Sequence, residues 1–321
     1  MRIAIVFRPV PALRGSEAGI AKGFRAAGHD VQADSEAFDP TVDAILIPNQ
    51  PTFYPRALDQ LRALGPRRPR VVAWMSEPLV PPAASGLPWP RRTHREWIKL
   101  ALRDKRVIDA RSNERRTLAL MREGVVDAVA TTTVARVERF AEVGLETTWV
   151  PQTLGPNVHA DLGLDRDIPV LFLGAMDVPR RRLLARRLRR AGVELTAVGD
   201  WHDPRYWGGQ RTELMNRAVI SLNLNRFRGN FPDTRFLLAA GNRALIVSEP
   251  VYRPDPYVAG ETHVEAEPED LPDVLARWLA DDAGRERMLS AAYETVTTRL
   301  RREDSVAALC ALLAGEPVPA R

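Results

Sequence analysis

A predicted β-strand that ends in asparagines and is followed by arginines carries the side chains best suited to bind a ligand. In VISLNLNRFRGNFPDTRFLL, residues 219–238, apolar and polar residues alternate with the period of two that is typical of a strand. Asn223 and Asn225 lie at the end of this strand, and Arg235 follows after a loop. Amides form hydrogen bonds with hydroxyl groups, and guanidiniums bind phosphate oxygens, often in pairs. These residues therefore predict a site for a ligand with both hydroxyl and phosphate groups.

Other strand ends in the C-terminal half carry residues of a similar kind. Gly174 follows the apolar run PVLFL, where a phosphate could meet the next helix, and Arg180 lies in the first turn of that helix. A cation there is unfavourable for the helix dipole unless an anion compensates it. Glu249 follows ALIVS, and Trp201 and His202 lie in the loop DWHDPRYWGG. That loop predicts either a stacking contact with a nucleobase or an aromatic cluster that packs on itself.

Two places in the N-terminal half have side chains that suit a substrate. Gly15, Ser16 and Glu17 begin a predicted helix, and they indicate either close approach of a substrate to the backbone or ordinary capping of the helix. Glu77 ends the predicted strand RVVAWMSE and is either a general base or a solvated loop residue. Glycine spacing after the first strand differs from G-x-G-x-x-G, so NAD is the weaker prediction even though Asp34 follows the second strand.

Predicted strands and helices alternate along the chain, which indicates an α/β protein. The strands are apolar on both faces and helices separate them, as in parallel, doubly wound sheets. We expect two Rossmann-like domains that face each other across a cleft, with ligands at the carboxyl ends of the strands. The expected boundaries are 1–155 for the N-terminal domain, 156–300 for the C-terminal domain and 301–321 for a last helix that packs back on the first domain. Residues 107–112, VIDARS, are predicted as a strand, and residues 285–315 as one helical region.

The composition is that of a soluble, mildly basic protein. The 321 residues are 45% hydrophobic and 27% charged, and 46 Lys and Arg against 41 Asp and Glu give a formal net charge of +5. That balance suits a phosphate-bearing ligand or an anionic surface. Cys310 is the only cysteine, which excludes an internal disulfide and a thiolate metal cluster and indicates a reducing compartment, the cytoplasm. No apolar run reaches the roughly 18 residues that cross a bilayer, and the opening MRIAIVF is a predicted strand rather than a signal peptide.

Other charged segments are assigned to solvent-exposed surfaces. The arginine-rich run RRRLLARRLRR predicts a solvated helix face, and without interleaved aromatic residues it does not predict nucleic-acid binding. Asp165 and Asp167 form a D-x-D pattern in the linker rather than at a strand end, and the histidines are scattered, so we expect no metal site. Basic residues of the N-terminal helices predict either a solvated face or contact with a membrane surface. These residues are Arg91, Arg92, Arg95, Arg115 and Arg116.

The order of motifs in the C-terminal half resembles that of the spore-maturation-protein (CgeB)-like branch of the GT-B glycosyltransferases. The motifs that carry the resemblance are, in order, LFLG, RR, VGDW, LMNRA, SLNLN and TRFLLAAGNRALIVSE. The tail that follows is also similar, and in the N-terminal half so are RAAGHDV and the segment that ends in VPQTLGPNVH. The family often has a glutamate shortly after the matched arginine, where this chain has Leu237 and Leu238. Glu249 or Asp233 would then have to take the role of that glutamate.

The resemblance implies a glycosyltransferase that moves a sugar from a nucleotide diphosphate donor to an acceptor. It implies a retaining reaction without a metal ion or other cofactor. Such a reaction needs no protein base, because the leaving phosphate can itself take the proton. The donor would bind the C-terminal half, with its base at the DWHD loop and its diphosphate at Arg180 and Arg235. The hydroxyls of ribose or sugar would bind the remaining predicted residues of that half, which are Asn223, Asn225 and Glu249.

The acceptor would lie on the N-terminal half, near Ser16, Glu17 and Glu77. Glu17 or Glu77 would be a catalytic base only if the reaction inverts the configuration of the sugar. Two other functions stay open at this point. The missing glutamate favours a non-catalytic protein that binds a nucleotide sugar or a glycan through the same fold. A nucleotide-sugar epimerase would need an acid/base pair that the sequence does not display.

Overall fold

The fold is described from a computed structural model. It covers residues 1–6, 16–33, 35–92, 94–102, 109–155, 158–176, 178–199 and 203–319, with the side chains of residues 16–18, 95, 100 and 204 left aside. The chain forms two compact units. One contains residues 20–151 with the first strand and residues 306–319, and the other contains residues 152–305 together with residues 16–19.

The first unit is built on a six-stranded parallel sheet with the strand order β2-β1-β3-β4-β5-β6. Its strands are β1 (Arg2–Ile5), β2 (Asp30–Gln32), β3 (Ala44–Pro48), β4 (Arg70–Met75), β5 (Ala128–Thr131) and β6 (Thr148–Trp149). Its helices are α1 (Ser16–Ala26), α2 (Pro55–Leu64), α3 (His94–Ala101), α4 (Ala110–Arg122) and α5 (Val134–Glu142). Alternate residues of the central strands enter two separate apolar clusters, one on each face of the sheet, as expected for strands between two helical layers.

The second unit is built on a five-stranded parallel sheet with the order β11-β10-β9-β7-β8. Its strands are β7 (Ile168–Leu173), β8 (Leu195–Val198), β9 (Ala218–Asn223), β10 (Leu245–Ser248) and β11 (Val264–Glu265). The helices of the C-terminal half are α6 (Pro179–Arg190), α7 (Gly208–Asn216), α8 (Asp233–Gly241), α9 (Leu271–Ala280), α10 (Asp282–Arg299) and α11 (Arg302–Ala314). Two doubly wound parallel sheets confirm the predicted α/β class.

Two local predictions were wrong. Residues 110–112 of the predicted strand VIDARS begin α4, because the carboxylate of Asp109 accepts hydrogen bonds from the backbone N–H groups of Arg111 and Ser112 and caps the helix. The long C-terminal helical region is divided near Leu300 into α10 and α11.

The last helix belongs to the core of the first unit. Leu309 and Leu313 of α11 are buried in the same apolar cluster as Ile3 and Phe24, which come from β1 and α1. In this cluster the residues of α11 are more than 280 positions away in the chain from those of β1 and α1. The 3.2 Å contact between Cys310 Sγ and His29 Nε2 spans a similar separation. Within the described residues, no helix is both long and apolar enough to cross a membrane.

Candidate functional site

The two asparagines predicted from the sequence lie at the carboxyl end of β9, inside the second unit. The register of β9 and β10 places Asn223 beside Ser248, and Asn223 Nδ2 donates to Ser248 Oγ and to Asn225 Oδ1, each over 2.7 Å. Asn225 Nδ2 donates to the carbonyl of Pro250 over 3.1 Å. Both amides are buried. They therefore join the ends of neighbouring strands and fix the floor of the site.

Arg235 extends from the first turn of α8 onto this floor. One guanidinium nitrogen donates to Asn223 Oδ1, and Nε donates to the carbonyl of Leu173 over 3.1 Å. In the part of the chain that the structure describes, no carboxylate lies within ion-pair distance of Arg235. Burial lowers the pKa of Arg235, and the charges of Arg181 and Arg226 lower it further. Because a guanidinium keeps its proton at neutral pH, the site carries positive charge that an anion would compensate.

A buried aromatic ring supports this group of arginines. The guanidinium carbons of Arg235 and Arg181 lie 5.1 and 5.4 Å from the centroid of Phe172, which is fully buried in β7. Arg181 also donates from Nε to the carbonyl of Leu224 over 2.9 Å. Cation–π contact stabilises a guanidinium without neutralising its charge. The ring thus holds two like charges near each other at the ends of the strands.

Gly174 lies close to the side chains of Arg235 and Phe172. A Cβ at this position would lie 2.8 Å from a guanidinium nitrogen of Arg235 and 3.1 Å from Phe172 Cζ. The backbone of Gly199 approaches from β8, where a Cβ would lie 2.7 Å from the nitrogen of Gly174. Gly174 therefore leaves space for the guanidinium of Arg235, and Gly199 leaves space for the backbone of Gly174.

Arg180 and Glu249, both predicted to contact a ligand, bind each other. Arg180 Nη1 donates to Glu249 Oε2 over 2.7 Å, and Nη2 donates to the second carboxylate oxygen. The backbone N–H of Asn225 donates to Glu249 Oε2 over 2.6 Å. Glu249 is buried, whereas Arg180 keeps partial exposure. Arg180 neutralises the carboxylate of Glu249, so this carboxylate does not compensate the charge of Arg235.

The remaining predicted residues lie elsewhere. Gly15, Trp201 and His202 fall outside the described residues, and Ser16 and Glu17 begin α1 with side chains that are not described. Glu77 follows β4 in the first unit, where its backbone carbonyl accepts a hydrogen bond from Arg136 Nε over 3.1 Å. Of the predicted set, the structure brings together those that follow β7, β9 and β10: Gly174, Arg180, Asn223, Asn225, Arg235 and Glu249.

A half-buried arginine in α7 contacts the last tryptophan of the aromatic loop. Arg211 lies 5.1 Å from the ring centroid of Trp207, at the start of α7. Its Nε is buried and has no hydrogen-bond partner among the described residues, and burial lowers the pKa of Arg211 to about 10. A stacked tryptophan beside an arginine suits contact with a planar, polar group.

The D-x-D pattern in the linker forms part of an ordinary surface ion pair. Asp167 accepts two hydrogen bonds from the guanidinium of Arg217, over 2.8 and 2.6 Å. Within the described ranges, no three His, Cys, Asp or Glu side chains lie close enough together to hold a metal ion.

Sequence reasoning missed four residues of this site: Phe172, Arg181, Arg226 and Ser248. Arg226 follows the strand-end asparagines directly, so its position was a usable signal. In the sequence, Phe172 and Ser248 look like ordinary strand residues. Their contacts with Arg181, Arg235 and Asn223 depend on how the strands and helices pack.

Part of the chain is similar to a known protein family. Residues 180–311 match the sequence profile of a family described as Glycosyl transferase-like, and this range contains most of the site. The chain has the GT-B fold, as the solved structures below show. No curated protein sequence is significantly similar to it.

Three solved structures illustrate the fold. HepE from Anabaena, in complex with UDP-glucose, is 11% identical with a TM-score of 0.66, over 98% of this chain and 100% of that chain. T4 phage BGT with its UDP-glucose substrate is 14% identical with a TM-score of 0.61, over 98% of this chain and 99% of that chain. TarM is 9% identical with a TM-score of 0.58, over 84% of this chain. The matched region spans about half, 54%, of the TarM chain. At such identities the comparison shows the GT-B fold and leaves the spore-maturation-protein-like branch as a prediction.

Proposed function

We propose that the protein transfers a sugar from a nucleotide diphosphate donor to an acceptor hydroxyl, without a metal ion. The observation that carries the proposal is Arg235, a half-buried cation that hydrogen-bonds an amide and a carbonyl and has no carboxylate partner among the described residues. Arg181 and Arg226 add positive charge to the same strand ends. A diphosphate at this place supplies the missing negative charge.

The proposed reaction requires stabilisation of negative charge. When the bond between the anomeric carbon and the diphosphate oxygen breaks, negative charge grows on the leaving phosphate, and fixed cations lower the energy of that transition state. Arg235 is already oriented by Asn223 and Phe172, so its reorganisation cost during the reaction is small. In the proposed retaining reaction, the acceptor oxygen bonds to the anomeric carbon on the face that the diphosphate leaves, and the acceptor proton passes to the leaving phosphate. No protein base is then required, and Glu17 or Glu77 would act only in an inverting reaction.

Glu249 and Arg180 have a supporting role in this proposal. Their mutual ion pair fixes the turn after β10 and keeps a buried carboxylate from repelling the diphosphate. Trp207 of the aromatic loop and Arg211 of α7 are proposed to contact the base. The UDP-glucose complexes of HepE and BGT make a UDP-hexose the first donor to test.

Thermal unfolding with UDP, GDP, dTDP, ADP and NAD, all with EDTA, tests the donor site. At about a hundred times Kd, one nucleoside diphosphate is expected to raise Tm by about 5 °C, because it binds only the folded state. The variant Arg235→Ala should lose that shift. The matched control is Arg228→Ala, an exposed arginine of the preceding loop, which should keep it. No shift with any nucleoside diphosphate, or a shift with NAD alone, would contradict the proposal.

A second candidate is a non-catalytic protein that binds the same ligand. Leu237 and Leu238, which stand where the resemblance leads one to expect a glutamate, are buried in the apolar core of the second unit. Donor hydrolysis separates the two functions. Slow release of free sugar, abolished in Arg235→Ala, supports the transferase, whereas tight binding with no hydrolysis and no transfer to any acceptor supports the binding protein.

A further inference from the structure

Helix α3 in the first unit turns its apolar face towards solvent. On a helix, residues at i, i+3/i+4 and i+7/i+8 share one face. Trp97 and Ile98 are 56% and 60% exposed, and Leu102, which directly follows the helix, is 75% exposed. The charged residues Glu96 and Lys99 are only partly exposed. An ordinary surface helix has the opposite arrangement, so this face is built to contact something other than water.

The loop before α3 presents a further aromatic side chain. Trp89 is 48% exposed, and the guanidinium carbons of Arg111 and Arg139 lie 5.2 and 5.3 Å from its ring centroid. Arg139 is itself held by the carboxylate of Glu114 over 2.6 and 2.7 Å. The same arginine pairs with Glu142 over 2.8 Å. Trp89 is thus supported from beneath by helices α4 and α5.

The charge around these apolar side chains is positive. Residues 89–102 contain four basic residues, at positions 91, 92, 95 and 99, against one acidic residue, Glu96. Arg92 lies 5.4 Å from the ring centroid of Trp97 and pairs with Asp109 over 3.4 Å. Tryptophan and aliphatic side chains bordered by cations are the composition of helices that lie in the interface of an anionic bilayer.

We propose that α3 and Trp89 dock on the surface of a bilayer that contains anionic lipids. Trp89, Trp97, Ile98 and Leu102 would enter the boundary between headgroups and acyl chains, while the neighbouring basic side chains meet lipid phosphates. A second copy of the chain is the less suitable occupant, because a two-fold contact would place this excess of positive charge against itself. The inference does not depend on the proposed transfer of a sugar.

Sedimentation of the full chain with vesicles tests the proposal. Vesicles of phosphatidylcholine alone are compared with vesicles of phosphatidylcholine and phosphatidylglycerol in equal amounts. We expect binding to the anionic vesicles, weakened by salt because the charge contribution is screened. The variant Trp97→Ser with Ile98→Ser should reduce the partition coefficient by about tenfold or more, since two large apolar side chains no longer enter the bilayer.

Leu183→Ser is the matched control. Leu183 is 68% exposed on α6, which is also rich in arginine, but it stands alone rather than in an apolar face. This variant should bind vesicles like the unchanged protein. All variants should keep the melting temperature, because the changed side chains are exposed.

Three results would overturn the proposal. These are absence of binding to anionic vesicles, equal loss of binding in the Leu183 variant, and self-association in solution that only the Trp97 and Ile98 changes abolish. The last result would assign the face to contact between copies of the chain.

Discussion

The guanidinium carbon of Arg235 lies 5.1 Å from the centroid of the fully buried Phe172 ring. Arg181 contacts the same ring at 5.4 Å, so one aromatic side chain supports two cations that repel each other. This arrangement leads to the first of four predictions for the site and for the unit that contains it.

Phe172→Leu should weaken binding of the nucleoside diphosphate more than binding of its parent nucleoside. Leucine fills much of the space but gives no cation–π contact, so the two guanidiniums lose their common support. Titration calorimetry should show a loss of about fivefold for the diphosphate, which corresponds to about 1 kcal/mol. An equal loss for nucleoside and diphosphate would mean that the ring acts through general packing instead.

Gly174→Ala should displace the guanidinium of Arg235 without unfolding the protein. The added methyl group would lie 2.8 Å from the end of a flexible side chain, which can move aside. Loss of one charge-assisted hydrogen bond predicts about tenfold weaker diphosphate binding. Gly209→Ala is the control, because a Cβ there meets no atom within 4 Å. Similar affinity for both variants would show that Arg235 does not need the open position of Gly174.

Glu249→Gln should destabilise the second unit by about 2 kcal/mol. The substitution replaces the buried carboxylate by a neutral amide, so that Arg180 loses this charged partner. The control is Asp167→Asn, which breaks an ion pair of similar geometry with Arg217 on the surface. An exposed pair contributes about 0–1 kcal/mol. Urea unfolding measures both, and equal effects would contradict the assigned structural role of Glu249.

His159 should make stability depend on pH below neutrality. Burial, with Arg211 and Arg302 nearby, lowers the pKa of His159 from 6.5 to about 4, and its Nδ1 accepts a hydrogen bond from the backbone of Gly155 over 2.8 Å. Between these two pKa values the unfolded chain binds more protons than the folded one. The stabilisation is therefore complete above pH 6.5 and declines as the pH falls towards about 4.

The variant His159→Gln should remove this dependence while keeping an acceptor for the Gly155 N–H group. Over the whole interval the predicted change in the free energy of unfolding is about 3 kcal/mol. Urea unfolding at several pH values compares this variant with His94→Gln, which changes an exposed histidine. If the His159 variant kept the full slope between pH 6.5 and about 5, the cause would lie in other groups.

The sequence predicted the elements of this fold better than the partnerships between them. The alternating run that ends at Asn223 is β9, because a buried strand and its polar end are both local features. The prediction of a strand at VIDARS was wrong because the side chain of Asp109 caps the start of α4 within this segment. Strand β11, only two residues long, has no periodicity from which it could be predicted.

For the site, too, local features could be predicted from the sequence, whereas contacts between distant residues could not. Asn223 and Asn225 were selected from residue type and from their place at a strand end, and Arg235 from its residue type after the following loop. The pairing of Arg180 with Glu249, 69 positions apart, depends on which strands are neighbours in the sheet, and that order is not a local property. The support that Phe172 gives to two arginines likewise exists only after β7, α6 and α8 have packed together.

The return of α11 to the core around Ile3 and Phe24 has a consequence for the order of folding during synthesis. Residues 152–305 leave the ribosome as a contiguous block that can complete its own sheet. The first unit is begun earlier and finished later, since Leu309 and Leu313 are translated after the whole of the second sheet. A ribosome-bound chain that stops before residue 306 therefore displays an open apolar surface on its N-terminal part, and chaperones would meet that surface first.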